Sequence, residues 1–426
     1  MAKIETQRLT WFRLNQKTVK AEKYRCVMDA VENGEEMLPG KRTILPPTMY
    51  ASPRWYARQF QDAMSIVREY GKPTYFITFT CNPNWPEITQ SLLPGQTSYQ
   101  RPDIVARVFH MKWEALLNVV LKQDALGHCD AYCAVKETQK RHLPHGHALF
   151  TMVPADQPRT PADIDRVVCA EIPDRSNSEL YRIVTQHMIH GPCGALNSKS
   201  PCMDEVKGEC TKGFPKELRN HTVFADNSFP LHRRRKEPDS PGIPFTKTLS
   251  GGVEVSVGNE WVVPYCPVLS LKFDCHINVE PVGGVDVVKY LYKYIHKGPD
   301  RCMVRVGGPV EDITHDEIKR YEVGRYISAS EACWRIFDFP VQKKYPAVEQ
   351  LSIHLEDEQQ IVFSEEGEVQ HLLDSGPPTT TLTAFFQAMQ QHPDKNDVLY
   401  PDVYKYFTWE QKTRTFKWRK RGRSHN

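Results

Sequence analysis

The chain has 426 residues, 40% hydrophobic and 25% charged. That is enough apolar content for two or three packed domains and too much for a disordered chain. With 55 Lys and Arg against 52 Asp and Glu the formal net charge is only +3, so any nucleic-acid surface must be a local patch. No apolar run is long enough to span a bilayer and the N-terminus lacks a signal-peptide core, which predicts a soluble intracellular protein. The twelve cysteines are then free thiols or metal ligands rather than a disulfide framework.

Along the chain, residues 1–70 read as a helical region of mixed charge. Within it, Ala51–Tyr70 has apolar residues at helical spacing and stops at Gly71-Lys72-Pro73. Tyr75–Thr80 (YFITFT) is aromatic and β-branched and predicts a buried strand. Ile104–Lys122 places Val105, Val108, Phe109, Leu116, Val120 and Leu121 near one helical face. Strands follow at about Ala131–Gln139 and His145–Met152. This order of strand, helix, strand, strand suggests an α+β fold built on an antiparallel sheet.

Residues 154–264 change character: rich in Pro, Gly, Cys, His and charge, poor in apolar periodicity. They read as a Cys/His-rich insertion that splits the sheet domain into a first part, 71–153, and a second part, 265–300. The second part predicts strands near Leu269–Phe273 and Cys275–Glu280, then a helix capped by Asp286 and ended by Gly298. Residues 301–426 form a C-terminal accessory region that closes in a basic tail, Lys417–Arg423.

Two constellations carry chemistry. In His145-Gly146-His147 the two imidazoles fall on one face of a strand, about 7 Å apart along it by rise alone, and can converge on one divalent ion. If the preceding strand pairs as a hairpin, Glu137 joins the same ion as third ligand, with Gln139 in reserve. Such a site leaves open positions for water and substrate and acts as a Lewis acid on phosphate. The second constellation is Tyr290-Leu291-Tyr292-Lys293-Tyr294, where Tyr290 and Tyr294 share a helical face beside Lys289, Lys293 and Lys297. Neighbouring lysines lower a phenol's pKa toward phenolate, the nucleophilic form. The plain alternatives are two surface histidines and ordinary aromatic packing.

Together these segments resemble the HUH endonucleases, the rolling-circle replication initiators. In detail they are similar to the Rep nuclease region of Helitron transposases, the Helitron helicase-like N-terminal region. The resemblance is carried by Phe76–Ile88 (FITFTCNPNWPEI), Glu137–Phe150 (ETQKRHLPHGHALF), His190–Gly194, Lys272–Gly298 (KFDCHINVEPVGGVDVVKYLYKYIHKG) and Tyr326–Pro340. It implies an HUH-type antiparallel sheet flanked by helices. It implies that His145 and His147, with Glu137, hold Mg²⁺ or Mn²⁺, and that Tyr290 and Tyr294 are the nucleophiles of the two-tyrosine class. The activity it implies is nicking and strand transfer on single-stranded DNA through a 5′-phosphotyrosine that leaves a free 3′-OH. A catalytically inactive single-stranded DNA-binding protein is the alternative. His276, Asn278 and Glu280 alternate on one strand face, and one of them can complete the site instead or serve the fold. Two positions depart from the pattern: Gly146, where a bulky apolar residue is expected, and His142, where a small one is common.

His190, Cys193, Cys202 and Cys210 offer a tetrahedral zinc set, with scattered free thiols as the alternative. Arg233, Arg234, Arg235 and the basic tail are candidate phosphate contacts, against solvated loops. Trp85 and Trp418 could stack bases, or be core residues. No Gly-x4-Gly-Lys-Ser/Thr sequence occurs, so a helicase motor is expected to be supplied in trans or by a region beyond this chain. A nuclear location is expected from DNA function in a eukaryotic host.

Overall fold

The structure is a computed structural model. It describes residues 2–16, 22–23, 43–138, 143–204, 206–224, 229–248, 252, 254–284, 316–322, 327–356, 358–361, 376–395 and 397–419. The chain divides into two compact units, residues 56–302 with 325–347, and residues 2–55 with 303–324 and 348–426.

In chain order the principal elements are helices α1 (Ala2–Leu14), α2 (Pro53–Tyr70) and α3 (Pro102–Lys122), and strands β1 (Tyr75–Thr80), β2 (Cys129–Thr138) and β3 (Pro144–Met152). Helices α4 (Pro161–Val167) and α5 (Ser178–His187) and the hairpin β4 (Phe245–Thr248) and β5 (Glu254–Val257) follow. Then come α6 (Pro267–Phe273), β6 (Ile277–Pro281), α7 (Glu317–Glu322), α8 (Ala329–Ile336) and β7 (Gln342–Tyr345). Helix α9 (Thr381–Gln391) and the hairpin β8 (Phe407–Glu410) and β9 (Thr415–Trp418) close the chain.

The first unit is built on a five-stranded antiparallel sheet in the order β6-β1-β3-β2-β7. Strand alternation sorts its two faces. Tyr75, Ile77 and Phe79 of β1 and Ala148 and Phe150 of β3 turn to one side, into a core with Phe109, Trp113, Leu116 and Val120 of α3. Phe79 stacks on Trp113 and Phe109, at 5.9 and 5.4 Å between centroids. Thr78, Thr80, His145 and His147 therefore face the other way. Pro102 starts α3 at its first turn, where a missing N–H costs nothing.

One expected strand is a helix. Leu269–Phe273 lies in α6, not in the sheet. Pro267 opens the helix, Leu269 and Phe273 meet the core four residues apart, and Asp274 ends it in the left-handed region at φ 43°. The following strand begins at Ile277. The insertion also has more apolar order than its composition suggests. Leu180, Ile183 and Val184 form the buried face of α5, and Leu180 and Val184 pack with Ile172, Met188, Val262 and Tyr265. Leu180, Ile183 and Val184 show helical spacing within one short window, whereas Ile172, Met188, Val262 and Tyr265 come from other segments and share no period with it. In the second unit Phe385, Ala388, Val403, Phe407 and Phe416 make a small core. The helix expected from Asp286 lies outside the described residues. No helix among the described residues is long and apolar enough to cross a membrane.

Candidate metal centre

β1, β2 and β3 run side by side, and their register sets the site. His145 sits opposite Thr80 on β1 and Glu137 on β2; His147 sits opposite Thr78 and Val135. One ligand atom from each of Glu137, His145 and His147 lies within 4.8 Å of the others. Both imidazoles are buried, while the Glu137 side chain is 39% exposed, giving the group one side open to solvent.

The threonines orient the rings. Thr80 Oγ1 lies 2.9 Å from His145 Nδ1, and Thr78 Oγ1 lies 3.2 Å from His147 Nδ1. With hydrogen on Nδ1, each ring donates to its threonine hydroxyl and leaves the Nε2 lone pair for a metal, the arrangement by which an outer partner fixes a ligating histidine. His147 Nε2 lies 3.1 Å from Glu137 Oε1. Two donors about 2.1 Å from one ion at a right angle are separated by about 3 Å, so this pair fits adjacent positions of an octahedral ion. Phe76 stacks on His147 at 5.5 Å and 9°. Burial, with His147 and His276 nearby, holds the His145 pKa well below the ordinary imidazole value. The ring is therefore neutral, as a metal ligand must be.

Gly146 has a clear reason to be glycine. It sits opposite Phe79 and Lys136 and turns toward α3, where an added Cβ would lie 2.5 Å from the Trp113 ring. Trp113 fills the space over Gly146. Sequence reading missed Trp113. It also missed Thr78 and Thr80, whose alternation in the YFITFT strand was the available signal.

His276 shares the site's face and approaches Thr80 Oγ1 at 3.4 Å, and burial brings its pKa down to about 4. Glu280 pairs instead with His232 at 2.9 Å. Neither these two nor Asn278 joins the three-residue ligand group. Tyr290, Tyr294, Lys289, Lys293, Lys297, Gln139 and His142 lie outside the described residues.

His190, Cys193, Cys202 and Cys210 form a second group whose ligand atoms lie within 4.8 Å of one another. Burial pushes the Cys193 thiol up to about 12, whereas at Cys210 burial is outweighed by the backbone N–H groups of Phe214 and Lys212, which hold its pKa down.

Of the arginine run, the middle residue is turned inward. Arg234 is 3% exposed and its Nη1 donates to the carbonyls of Asn259 at 2.6 Å and Val262 at 2.7 Å. Arg235 forms a two-pronged pair with buried Glu171, at 2.8 and 2.7 Å, and Arg233 reaches Asp165 and Glu171. Arg234 thus braces residues 259–262, because buried loop carbonyls need donors; Arg233 and Arg235 pair with carboxylates while keeping 32% and 29% of their side chains exposed. Trp85 is likewise core: it is buried and donates Nε1–H to the Phe273 carbonyl at 2.7 Å. Trp418 is 40% exposed. Of the basic tail, Lys417 pairs with Glu410 at 3.4 Å and Arg419 donates to the Phe407 carbonyl at 3.1 Å, while residues 420–426 lie outside the described residues.

The chain is thus a mixed α+β protein whose antiparallel sheet presents a group of side chains able to hold a metal. Residues 1–150 match the family model described as the Helitron helicase-like domain at the N-terminus. The match ends inside β3, after Glu137, His145 and His147, and before the cysteine group and the paired tyrosines. No curated protein matches the chain.

Proposed function

We propose that the chain is an HUH-type endonuclease and strand transferase of a Helitron transposase, acting on single-stranded DNA. The observation that carries this reading is the convergence of Glu137, His145 and His147 on one sheet face, within a segment matched to the Helitron helicase-like region. Donor chemistry and spacing fit a divalent ion. Imidazole ligands suit Mn²⁺ better than Mg²⁺, which prefers oxygen. Such an ion would supply Lewis-acid polarisation of a phosphate oxygen.

The chain's own residues do the rest. Thr78 and Thr80 hold the rings, and the exposed side of Glu137 leaves room for a phosphate. The phenol oxygen of Tyr290 or Tyr294 attacks phosphorus. One P–O bond forms as the bond to the 3′ oxygen breaks, and the phenol proton is lost as the leaving oxygen gains one. The products are a 5′-phosphotyrosine and a free 3′-OH, and attack by a 3′-OH reverses the step, so strand transfer needs no ATP. The second tyrosine would hold a second strand. We further propose a helicase partner, supplied in trans or by a region beyond this chain, and a nuclear site of action.

The test is a nicking assay on end-labelled single-stranded DNA with Mn²⁺, comparing wild type with Tyr290→Phe, Tyr294→Phe and the double variant. A denaturation-resistant DNA–protein band that the double variant loses is the expected result. Binding with no covalent product, across metals and substrates, would overturn the nuclease reading in favour of a DNA-binding relic.

A further inference from the structure

A segment that lacks a core of its own needs another means of holding shape. Around residues 190–214 the buried apolar residues among those described are Cys193, Val257 and Trp261, with Ile189, Cys202, Met203, Cys210, Phe214 and Phe245 partly buried against them. Isolated bridges pair Gly194 with Asn197 and Met203 with Cys210, and the other described residues form turns and irregular backbone. That is little burial for so much ordered backbone.

We propose that His190, Cys193, Cys202 and Cys210 form a closed structural zinc site that holds this segment together, separate from the Glu137, His145 and His147 centre. Three thiols and one imidazole are a soft donor set, suited to zinc and ill suited to Mg²⁺ or Ca²⁺. A tetrahedral zinc with Zn–S near 2.3 Å and Zn–N near 2.1 Å holds its ligand atoms roughly 3.5–4 Å apart. Cys210 Sγ and His190 Nε2 are 3.4 Å apart, and all four ligand atoms fall within 4.8 Å of one another. Four protein ligands leave no open position, so the site is structural rather than catalytic.

The surroundings suit a thiolate-rich centre. The backbone N–H of Lys212 points to Cys210 Sγ at 3.4 Å, and Ser200 Oγ lies 3.3 Å from Cys202 Sγ, contacts that would stabilise sulfur anions. Zinc with three thiolates and a neutral imidazole carries one net negative charge. Lys212, Lys216 and Lys247 lie close to His190, and their positive charge would offset that negative one. Phe214 stacks on the His190 ring at 4.2 Å and 15°, fixing its plane. Gly191, at φ 78°, lets the chain turn between His190 and Cys193, where a Cβ would meet the Cys193 nitrogen at 2.8 Å. Binding releases the thiol protons to solvent and changes no oxidation state.

The test is metal content of the purified full chain after dialysis, with the variants Cys202→Ser, Cys210→Ser and the His145→Ala/His147→Ala pair. About one tightly held zinc per chain is expected. It should be lost in both cysteine variants and kept in the histidine pair. Since the cysteine variants may fail to fold, wild-type protein is also labelled with a thiol reagent and mapped by mass spectrometry. Cys193, Cys202 and Cys210 should react only after a chelator is added, and cobalt in place of zinc should give the visible bands of a thiolate-bound tetrahedral ion. Zinc-free protein, thiols that react at once, a disulfide among the three cysteines, or zinc lost only in the histidine pair would each overturn the proposal. None of these readouts depends on nuclease activity.

Discussion

Substituting Gly146 by alanine sets two effects against each other. Alanine in a strand removes glycine's excess conformational entropy, a gain of about 0.5–1 kcal/mol. The new methyl, however, would lie 2.5, 2.7 and 2.8 Å from three atoms of the Trp113 ring, about 1 Å inside ordinary carbon contact. Trp113 has no easy retreat: it is 3% exposed and stacked on Phe79 and Phe109. Overpacking of this kind costs about 1–3 kcal/mol. The clash wins, and Gly146→Ala should lose about 1–2 kcal/mol of stability. The partner change Trp113→Ala should cost about 3–5 kcal/mol through the cavity it leaves. In the double variant the clash disappears, so the pair should be less destabilised than the sum by the clash itself, about 1–3 kcal/mol. Because the chain has two units, urea unfolding by circular dichroism is combined with hydrogen exchange at the β3 amides, which reports on this sheet alone. Mn²⁺ affinity by titration calorimetry should fall in Gly146→Ala and recover in the double variant, since His145 and His147 flank the displaced residue. A neutral or stabilising Gly146→Ala, or strict additivity with Trp113→Ala, would refute the reasoning.

Three other outcomes are expected. Thr80→Val keeps the side chain's shape but removes the partner of His145 Nδ1; Mn²⁺ binding should weaken roughly 10–100-fold, and unchanged binding would deny the threonine its orienting role. His276 is held at about 4 against 6.5 when unfolded, so the unfolded chain takes up a proton between those values that the folded chain refuses. Its contribution is complete above pH 6.5 and is lost as pH falls toward 4, by up to about 3 kcal/mol. His276→Gln should therefore flatten the acid limb of a stability–pH curve relative to wild type, and parallel curves would contradict this. Arg234→Met should cost roughly 3 kcal/mol, by stranding buried carbonyls of Asn259 and Val262, while leaving the single-stranded DNA affinity of the folded protein intact. Full stability with weakened DNA binding would restore the phosphate-contact reading of that arginine run.

What the sequence disclosed depended on how local the cause was. The YFITFT strand, the long α3 helix and the β2–β3 hairpin follow from periodicity and β-branched content within one window, and so does the shared face of His145 and His147. Hairpin pairing then brings Glu137 opposite His145 with no further information. Leu269–Phe273 was misread because a short apolar run fits a strand or a buried helix equally well; the deciding feature was Pro267 just ahead of it. The roles of Gly146 and Arg234 were hidden for a different reason. Each is fixed by a partner distant in sequence, the Trp113 ring in one case and the loop carbonyls of Asn259 and Val262 in the other. An arginine run looks the same in sequence whether it meets phosphate or the protein's own backbone.

Gly146 also bears on the register of β3, and through it on the site. Strand alternation means that a slip of one residue against β1 and β2 would exchange the faces of the whole strand. His145 and His147 would then face Phe79, Phe109 and Trp113, and Gly146 would face the metal-binding side. The slipped arrangement is penalised twice. Two imidazoles would be buried in an aromatic core without hydrogen-bond partners, at about 1–3 kcal/mol each, and bulky rings would meet Trp113 where even one methyl is too close. In the observed register the same residues are satisfied twice: Thr78 and Thr80 hydrogen-bond the imidazoles, and Trp113 fills the space over Gly146. A His-Gly-His strand beneath a tryptophan thus specifies its own register. It follows that the placement of His145 and His147 beside Glu137 rests on glycine at this position, with the filling supplied from the helix.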